Sequence, residues 1–147
     1  MTCIECKKKL SYAEHKSAMD HYGIELCERH KARMDKLHRN NCTPIEAIQL
    51  YYGLKQEGAN PMLEWWDGKK SVDLAFSRVK LNIEIDTDYH MMSHEQAINN
   101  LTNMMHSFQD GFTTIRIPHT LIKYFLNETV ENIIGIKEGL RARSRVI

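Results

Sequence analysis

Four carboxylates and one imidazole in the middle of the chain are of the types that bind hard metal ions and move protons. They are Glu46, Asp73, Glu84, Asp86 and His90. Carboxylates held close together repel one another and lose hydration, so a fold keeps them together chiefly where a cation neutralises them. The chemistry expected of such a cluster is phosphodiester hydrolysis at a magnesium or manganese ion.

Two strand-like runs carry three of these carboxylates. In residues 71–76 and 79–86, apolar and polar side chains alternate, as they do along a half-buried strand. Because strand side chains change face at every residue, Glu84 and Asp86 must share a face, and Asp73 must point away from the apolar side of its own strand. The alternatives are a solvated strand residue at Asp73 and an acidic strand edge that discourages aggregation.

Glu46 and His90 flank these strands, and each has a simpler explanation. Thr43 is a favoured N-cap, Pro44 suits the first helical position, and Glu46 completes a capping box that needs no catalytic role. His90 follows a turn and could simply cap the next helix. In a phosphodiesterase, Glu46 would orient a water, and His90 would act as general acid or base.

The first thirty residues contain a second metal-binding pattern. A Cys-x-x-Cys pair, Cys3 and Cys6, is followed by a Cys-x-x-His pair, Cys27 and His30. Three thiolates and an imidazole suit tetrahedral zinc, and a closed set of four ligands predicts a structural ion. The segment has too little core to fold alone, so the metal would supply much of its stability. The alternative is scattered thiols; Cys42 falls outside the pattern, although it could replace His30.

Periodicity elsewhere predicts an α/β (α+β) fold, a mixed sheet flanked by helices and preceded by the small zinc-bound segment. Strands are expected over 62–66, 71–76, 79–86 and 112–117, and helices over 26–38, 43–58, 93–109 and 119–143. The helix over 93–109 has a predicted buried stripe of Ala97, Leu101, Met104, Met105 and Phe108. Two units follow from this pattern, a zinc-binding segment over 1–42 and a second domain over 43–147.

Composition restricts the class of protein. The chain is 147 residues long, 42% hydrophobic and 27% charged, as in a soluble globular protein. No apolar run reaches the ~20 residues that span a bilayer, and the N-terminus lacks the apolar core of a secretory signal. We therefore expect a cytoplasmic protein without membrane contact, whose reduced thiols favour metal ligation. The net charge of +1 gives no argument for nucleic acid.

Residues 43–135 resemble the PD-(D/E)XK nuclease superfamily, and within it the branch that includes very short patch repair endonucleases. The likeness rests on TPIE at 43–46, VDL at 72–74 and IEIDTDYH at 83–90, and Arg116 also matches. It implies a restriction-endonuclease-like fold for the domain over 43–147. It also implies an Mg²⁺-dependent endodeoxyribonuclease with DNA as its partner.

The resemblance also implies roles for particular residues. Asp73 and either Glu84 or Asp86 would hold Mg²⁺ or Mn²⁺ beside the scissile phosphate. The sequence departs from the pattern at Asp86, which stands where the superfamily usually has lysine. It departs again at Asn100 and Asn103, where the branch usually carries an aspartate and an arginine.

Two functions compete at this stage. The first is a DNA endonuclease whose basic tail, Arg141, Arg143 and Arg145, contacts phosphates. The alternative is an inert zinc-containing module on a nuclease-like scaffold that binds nucleic acid or protein. The retained acidic set favours the enzyme. The oligomeric state stays open, with a homodimer among the options.

Overall fold

A computed structural model describes residues 1–66, 70–87 and 93–146, with side chains described through residue 143. The helices are α1 (Tyr12–Tyr22), α2 (Glu28–Asn40), α3 (Ile45–Gln56), α4 (His94–Gln109), α5 (His119–Tyr124) and α6 (Leu126–Val146). The strands are β1 (Met62–Trp66), β2 (Ser71–Phe76), β3 (Leu81–Asp86) and β4 (Thr113–Pro118). Across these ranges, no helix has both the length and the apolar character needed to cross a membrane.

The four strands form one mixed sheet in the order β1-β2-β3-β4. The first two pairings are antiparallel, and β3 pairs with β4 in parallel. Parallel neighbours need a crossover connection, and α4 lies in the segment that links β3 to β4. This sheet with flanking helices confirms the predicted α+β class.

The start of β3 differs from the prediction. The sequence predicts a strand from Val79, but Ser77–Val79 form a single turn of 3₁₀ helix and β3 begins at Leu81. Lys80, between them, takes a left-handed conformation with φ of 54°. The apolar alternation beginning at Val79 therefore includes a tight turn, which hydrophobic periodicity alone does not distinguish from a strand.

The predicted capping box at the start of α3 is wrong. Pro44 occupies the N-cap position, α3 begins at Ile45, and no side chain caps the helix. Thr43 is completely buried, and its hydroxyl donates to the Glu64 carboxylate of β1 at 2.5 Å. The buried Thr43 hydroxyl needs a partner within the protein, whereas the helix end can bind water.

Helix α1 is missing from the sequence prediction, although its signals are present. Ser11 accepts a hydrogen bond from the Glu14 backbone N–H, and the Glu14 carboxylate accepts one from the Ser11 backbone N–H. This is a capping box, and Gly23 ends the helix with φ of 68°. The helix lies between the two halves of the cysteine pattern.

The first 42 residues and the sheet share one hydrophobic core. Helix α3 is buried on most of its circumference and packs against α1, α5, α6, β1 and β2. The cluster includes Leu26 and Met34 from the N-terminal segment, with Ile48 and Leu54 from α3 and Ile83 from β3. Residues 1–42 thus pack on the rest of the chain rather than standing apart from it.

The predicted buried stripe on α4 is largely wrong. Four of its five residues are exposed: Ala97, Leu101, Met105 and Phe108. Leu101 is 62% exposed and Phe108 73% exposed, whereas Met104 is half-buried. The covered side of α4 consists of Asn100, Met104 and Ser107, which are spaced to share a face, and α4 packs against β4. Amphipathic spacing shows which residues share a face and does not show that the protein covers it.

Candidate functional site

Cys3, Cys6, Cys27 and His30 are positioned to hold a metal ion, with their ligand atoms all within 4.8 Å of one another. The Cys6 and Cys27 sulfurs are 3.9 Å apart, and the Cys3 sulfur is 3.6 Å from His30 Nδ1. An ion with Zn–S bonds of about 2.3 Å and tetrahedral angles separates its sulfurs by about 3.8 Å. The structure thus brings the four predicted ligands together in a position to hold a metal ion, and their donor set is consistent with zinc; we call these four residues the metal-binding group.

Short loops and a helix start place these four ligands. After Cys6, Lys7 takes a left-handed conformation with φ of 64°, and its N–H donates to the Cys3 carbonyl at 2.9 Å. This tight loop turns both sulfurs toward one point. Cys27 is the N-cap residue of α2, and His30 follows in the first turn of that helix. A metal ion bound by these four residues would therefore fix the beginning of α2.

The thiols of the cluster differ in their readiness to ionise. Burial opposes ionisation of Cys3, but hydrogen bonds from the backbone amides of Cys27, Cys6 and Glu5 outweigh it and lower the pKa of Cys3 to about 6. Burial and the neighbouring thiols raise the pKa of Cys27. A metal ion binds thiolates, so one ligand is ready at neutral pH and another needs the ion to ionise. Cys42 is exposed and outside the group.

The second candidate site is a row of carboxylates that crosses three strands of the sheet. Leu74 pairs with Ile83 across β2 and β3, and this register brings Asp73 beside Glu84 on the opposite face of the sheet. On the far side of β3, Glu84 pairs with Arg116 of β4. The two carboxylates that alternation assigned to polar faces are thus neighbours in the sheet.

Glu64 of β1 extends this row and was not among the predicted site residues. Leu63 pairs with Leu74 and Trp65 with Val72, so Glu64 lies opposite Asp73. The Glu64 carboxylate accepts hydrogen bonds from Thr43 at 2.5 Å and from Ser71 at 2.6 Å. We call Glu64, Asp73 and Glu84 the carboxylate row. The sequence signal that could have identified Glu64 is weak: it is one acidic residue within the otherwise apolar run MLEWW.

Burial and mutual repulsion disfavour ionisation in the carboxylate row. Burial, and after it the charge of Glu64, raise the pKa of Asp73 to about 6, although the Ile85 backbone N–H, which donates to Asp73 at 2.8 Å, opposes the rise. Burial and then the charge of Asp73 raise the pKa of Glu84 to about 7. Both carboxylates are therefore poised to change protonation state near neutral pH.

Two cations flank the row and limit this effect. Lys70 Nζ lies 3.5 Å from Glu84 Oε1, and the positive charges of Lys70 and Arg116 both lower the pKa of Glu84. These charges are not enough to return the pKa of Glu84 to its ordinary range. Glu84 Oε1 is buried, and the ammonium group of Lys70 is its partner in this ion pair. A further cation beside the row would lower the pKa values of Asp73 and Glu84.

Asp86 has a different environment from the row. Its carboxylate forms two hydrogen bonds with the Arg116 guanidinium, one from Nε at 3.2 Å and one from Nη2. The Asp86 carbonyl lies 3.2 Å from His119 Nδ1. A paired arrangement of this kind balances the charge of Asp86 within the protein. Its predicted role as a metal ligand would require it to share or leave Arg116.

The remaining predicted residues are not brought to the row by any described contact. Glu46 is half-buried at the second residue of α3, and its side chain makes no hydrogen bond or ion pair with a described residue. His90 lies outside the described residues. Asn100 is half-buried on α4 and Asn103 is exposed. The roles expected of these residues stay predictions.

Neither a protein-family model nor a curated protein matches this chain. The resemblance to the nuclease superfamily therefore stays a prediction from three short motifs. Two arrangements stand independently of it: Cys3, Cys6, Cys27 and His30, which are positioned to hold a metal ion, and the neighbouring, mostly buried carboxylates of Asp73 and Glu84.

Proposed function

We propose that this protein is a metal-dependent DNA endonuclease that hydrolyses phosphodiester bonds. The observation that carries the proposal is the pairing of Asp73 and Glu84, two mostly buried carboxylates on neighbouring strands. The charges of Lys70 and Arg116 do not fully offset the cost of keeping both carboxylates ionised, and carboxylate oxygens are the ligands that Mg²⁺ and Mn²⁺ prefer. A divalent ion at Asp73 and Glu84 would supply the missing positive charge.

Each residue around the row would have a separate task. Asp73 and Glu84 would hold the metal, and the hydrogen bonds from Thr43 and Ser71 would keep Glu64 in place next to Asp73. A bound Mg²⁺ would polarise the scissile phosphate and increase the acidity of the attacking water. Lys70 would then lie close enough to the row to balance negative charge that develops on the phosphate.

The N-terminal group supports a second part of the proposal, a structural zinc ion. Three thiols and one imidazole form a closed set, which leaves no open position for a substrate. Such a site requires reduced thiols, in keeping with the cytoplasmic setting expected from the sequence. Zinc would stabilise the first turn of α2 and thereby the adjoining core.

A second candidate function, an inert binding module, draws on Asp86 and Arg116. Their bidentate ion pair removes one predicted carboxylate ligand and one cation from the reach of a phosphate. Asn100 and Asn103 add to this, since neither carries the charge that the resemblance implies. On this interpretation the zinc-containing scaffold binds nucleic acid or protein without cutting.

Nicking of supercoiled plasmid DNA separates the two candidates. The zinc-loaded protein is incubated with Mg²⁺ or Mn²⁺ beside Asp73→Asn and Glu84→Gln, which keep side-chain size and remove charge. Glu131→Gln, at an exposed site on α6, is the matched control. We expect the native protein and the control to nick, and both row variants to lose at least 100-fold in rate.

The same experiment can exclude the endonuclease. If the folded, zinc-loaded native protein leaves plasmid, linear and single-stranded DNA uncut with both metals, the binding module replaces it. Nicking that persists at the native rate in Asp73→Asn would show that the activity belongs to another site or to a contaminant.

A further inference from the structure

The solvent face of α2 carries a line of three cations that the proposed chemistry leaves unused. Arg29, Arg33 and Lys36 are exposed and follow one another at spacings of four and three residues. Side chains at these spacings lie on one face of a helix and here extend over about 10 Å of its axis. We call these three residues the basic stripe.

The basic stripe has no acidic partner within the described chain. The acidic group in the middle of α2, Asp35, lies on the other side of the helix. It accepts hydrogen bonds from Lys31 at 2.9 Å and from Tyr22 at 2.5 Å. No ion pair joins Arg29, Arg33 or Lys36 to any described residue, although Lys31 on the same helix is paired. The stripe therefore presents three uncompensated charges to solvent.

The stripe also borders the strand that begins the carboxylate row. Arg33 and Lys36 line a cleft of about 450 Å³ whose opposite wall includes Met62 and Leu63 of β1. The next residue of that strand is Glu64. The end of α2 is tied to the row as well, because His38 Nδ1 lies 2.7 Å from the Thr43 carbonyl and Thr43 donates to Glu64.

We propose that the basic stripe binds backbone phosphates of duplex DNA and guides the duplex along β1 toward the carboxylate row. This inference rests on the proposed endonuclease and names its DNA-docking surface. Cys27 and His30, in the metal-binding group at the start of α2, hold the stripe at a fixed place on the core. Contacts of this type position a duplex without reading its sequence.

The composition of the face favours phosphate over an acidic protein partner. Protein interfaces depend on buried aromatic or large apolar anchors at their centre. Among the residues of α2, no large hydrophobic side chain is exposed, and the neighbours of the stripe on the outer surface are Ala32 and Asn40. Phosphate contacts require only cations and polar groups at suitable spacing.

Salt-dependent binding tests the docking surface without relying on cleavage. The full zinc-loaded protein is titrated against a fluorescent 25-base-pair duplex without added Mg²⁺, over a range of salt concentrations. The test variant Arg33→Ala/Lys36→Ala removes two stripe charges at a distance from the metal ligands. Lys16→Ala/Lys123→Ala removes two exposed charges from α1 and α5 and is the control. Zinc content and circular dichroism verify that both variants fold.

We expect the stripe variant to lose about two units from the slope of log K against log salt, and 10- to 30-fold in affinity near 0.15 M salt. The control should keep the native slope. An equal loss in both variants, or no loss in either, would overturn the inference. So would a stripe-dependent affinity for polyglutamate equal to that for DNA, since it would point to an acidic protein partner.

Failure of the inference and failure of the endonuclease give different results. If the native protein nicks DNA and the stripe variant nicks it with unchanged KM, the docking surface is wrong and the enzyme stands. If the stripe governs DNA binding but no metal supports nicking, the binding module stands and the docking surface survives.

Discussion

At the scale of single residues, the two paired carboxylates impose an unusual pH dependence on stability. Asp73 and Glu84 bind protons more tightly in the folded protein than in the unfolded chain, since their pKa values rise to about 6 and about 7. The folded state therefore binds more protons than the unfolded state between about pH 4 and pH 7. Without a divalent ion, the contribution of these groups to stability falls as the pH rises through this window.

Glu84→Gln tests that sign. Glutamine imitates the protonated carboxyl at every pH, so the zinc-loaded variant should be more stable than the native protein at pH 8 by roughly 2–3 kcal/mol without magnesium. The difference should shrink as the pH falls and approach zero near about pH 4. Urea unfolding of both proteins at several pH values measures this difference. Because both proteins contain Cys3, the effect of Cys3 ionisation on stability cancels when they are compared at the same pH. A variant less stable than the native protein at pH 8 would show that Glu84 is already fully compensated.

The metal-binding group allows a matched pair of cysteine substitutions. Cys6→Ser should remove a ligand, reduce bound zinc to a small fraction and destabilise the protein by at least about 3 kcal/mol. Cys42→Ser, at an exposed position outside the group, should leave zinc content unchanged and stability within about 0.5 kcal/mol. Metal analysis after dialysis and thermal unfolding give both quantities. Equal zinc loss in the two variants would include Cys42 among the ligands.

At the scale of elements, the segment before α3 is held by a hydrogen bond to β1 rather than by a side-chain cap on the helix. Thr43→Val should leave the Glu64 carboxylate without one donor and destabilise the fold by about 1–3 kcal/mol. Thr43→Ser keeps the hydroxyl and should cost less than Thr43→Val. Urea unfolding ranks the two variants. Equal stability of Thr43→Val and the native protein would mean that the hydrogen bond to Glu64 contributes nothing.

We expect glycine-to-alanine substitutions in α6 and just after α3 to change stability in opposite directions. Gly135 is exposed within α6, and a methyl group there would meet open space, so Gly135→Ala should stabilise by about 0.5–1 kcal/mol. Gly58 has φ of 83°, so Gly58→Ala should destabilise by about 1 kcal/mol although space is also free there. Thermal unfolding of both variants checks the contrast, and a shift of the same sign in both would contradict it.

At the scale of the whole molecule, features that depend on local sequence patterns could be predicted, whereas contacts between distant segments could not. The metal-binding group could be predicted because the two ligands of each pair are three positions apart in sequence and their chemistry leaves few alternatives. Asp73 and Glu84 could be placed on polar faces because alternation has a fixed period. Glu64 could not be predicted, since its place depends on the register of β1 against β2, which no local pattern gives.

The exposed apolar residues of α4 are a second example of a feature that local patterns could not predict. Its spacing is that of a core-facing helix, and the prediction of burial followed from it. Leu101 and Phe108 nevertheless face outward, because Asn100, Met104 and Ser107 form the covered side. Whether an apolar face is covered depends on how helix and sheet fit together, which involves residues far apart in the chain.

Because residues 1–42 and the rest of the chain share one core, we expect them to unfold together. The two segments are also linked by an ion pair, since Lys55 of α3 lies 3.1 Å from Glu5 in the loop between Cys3 and Cys6. Trp65 and Trp66 of β1 are far in sequence from the metal ligands and report on the unfolding of the sheet. Removing zinc should therefore lower the midpoint of the tryptophan fluorescence transition by several degrees, and zinc release should coincide with that transition. A tryptophan transition that chelation does not move would show that the segments unfold separately.

Glu64 has a backbone conformation that glutamate rarely adopts. Its φ is 52° in the middle of an edge strand, where a residue with a Cβ atom is strained by on the order of 1–3 kcal/mol and glycine is not. In a library of all residues at position 64, a screen for thermal stability should enrich glycine and asparagine. A screen for DNA hydrolysis should retain glutamate. Selection of this protein for heat resistance and selection for DNA hydrolysis would then favour different residues at position 64.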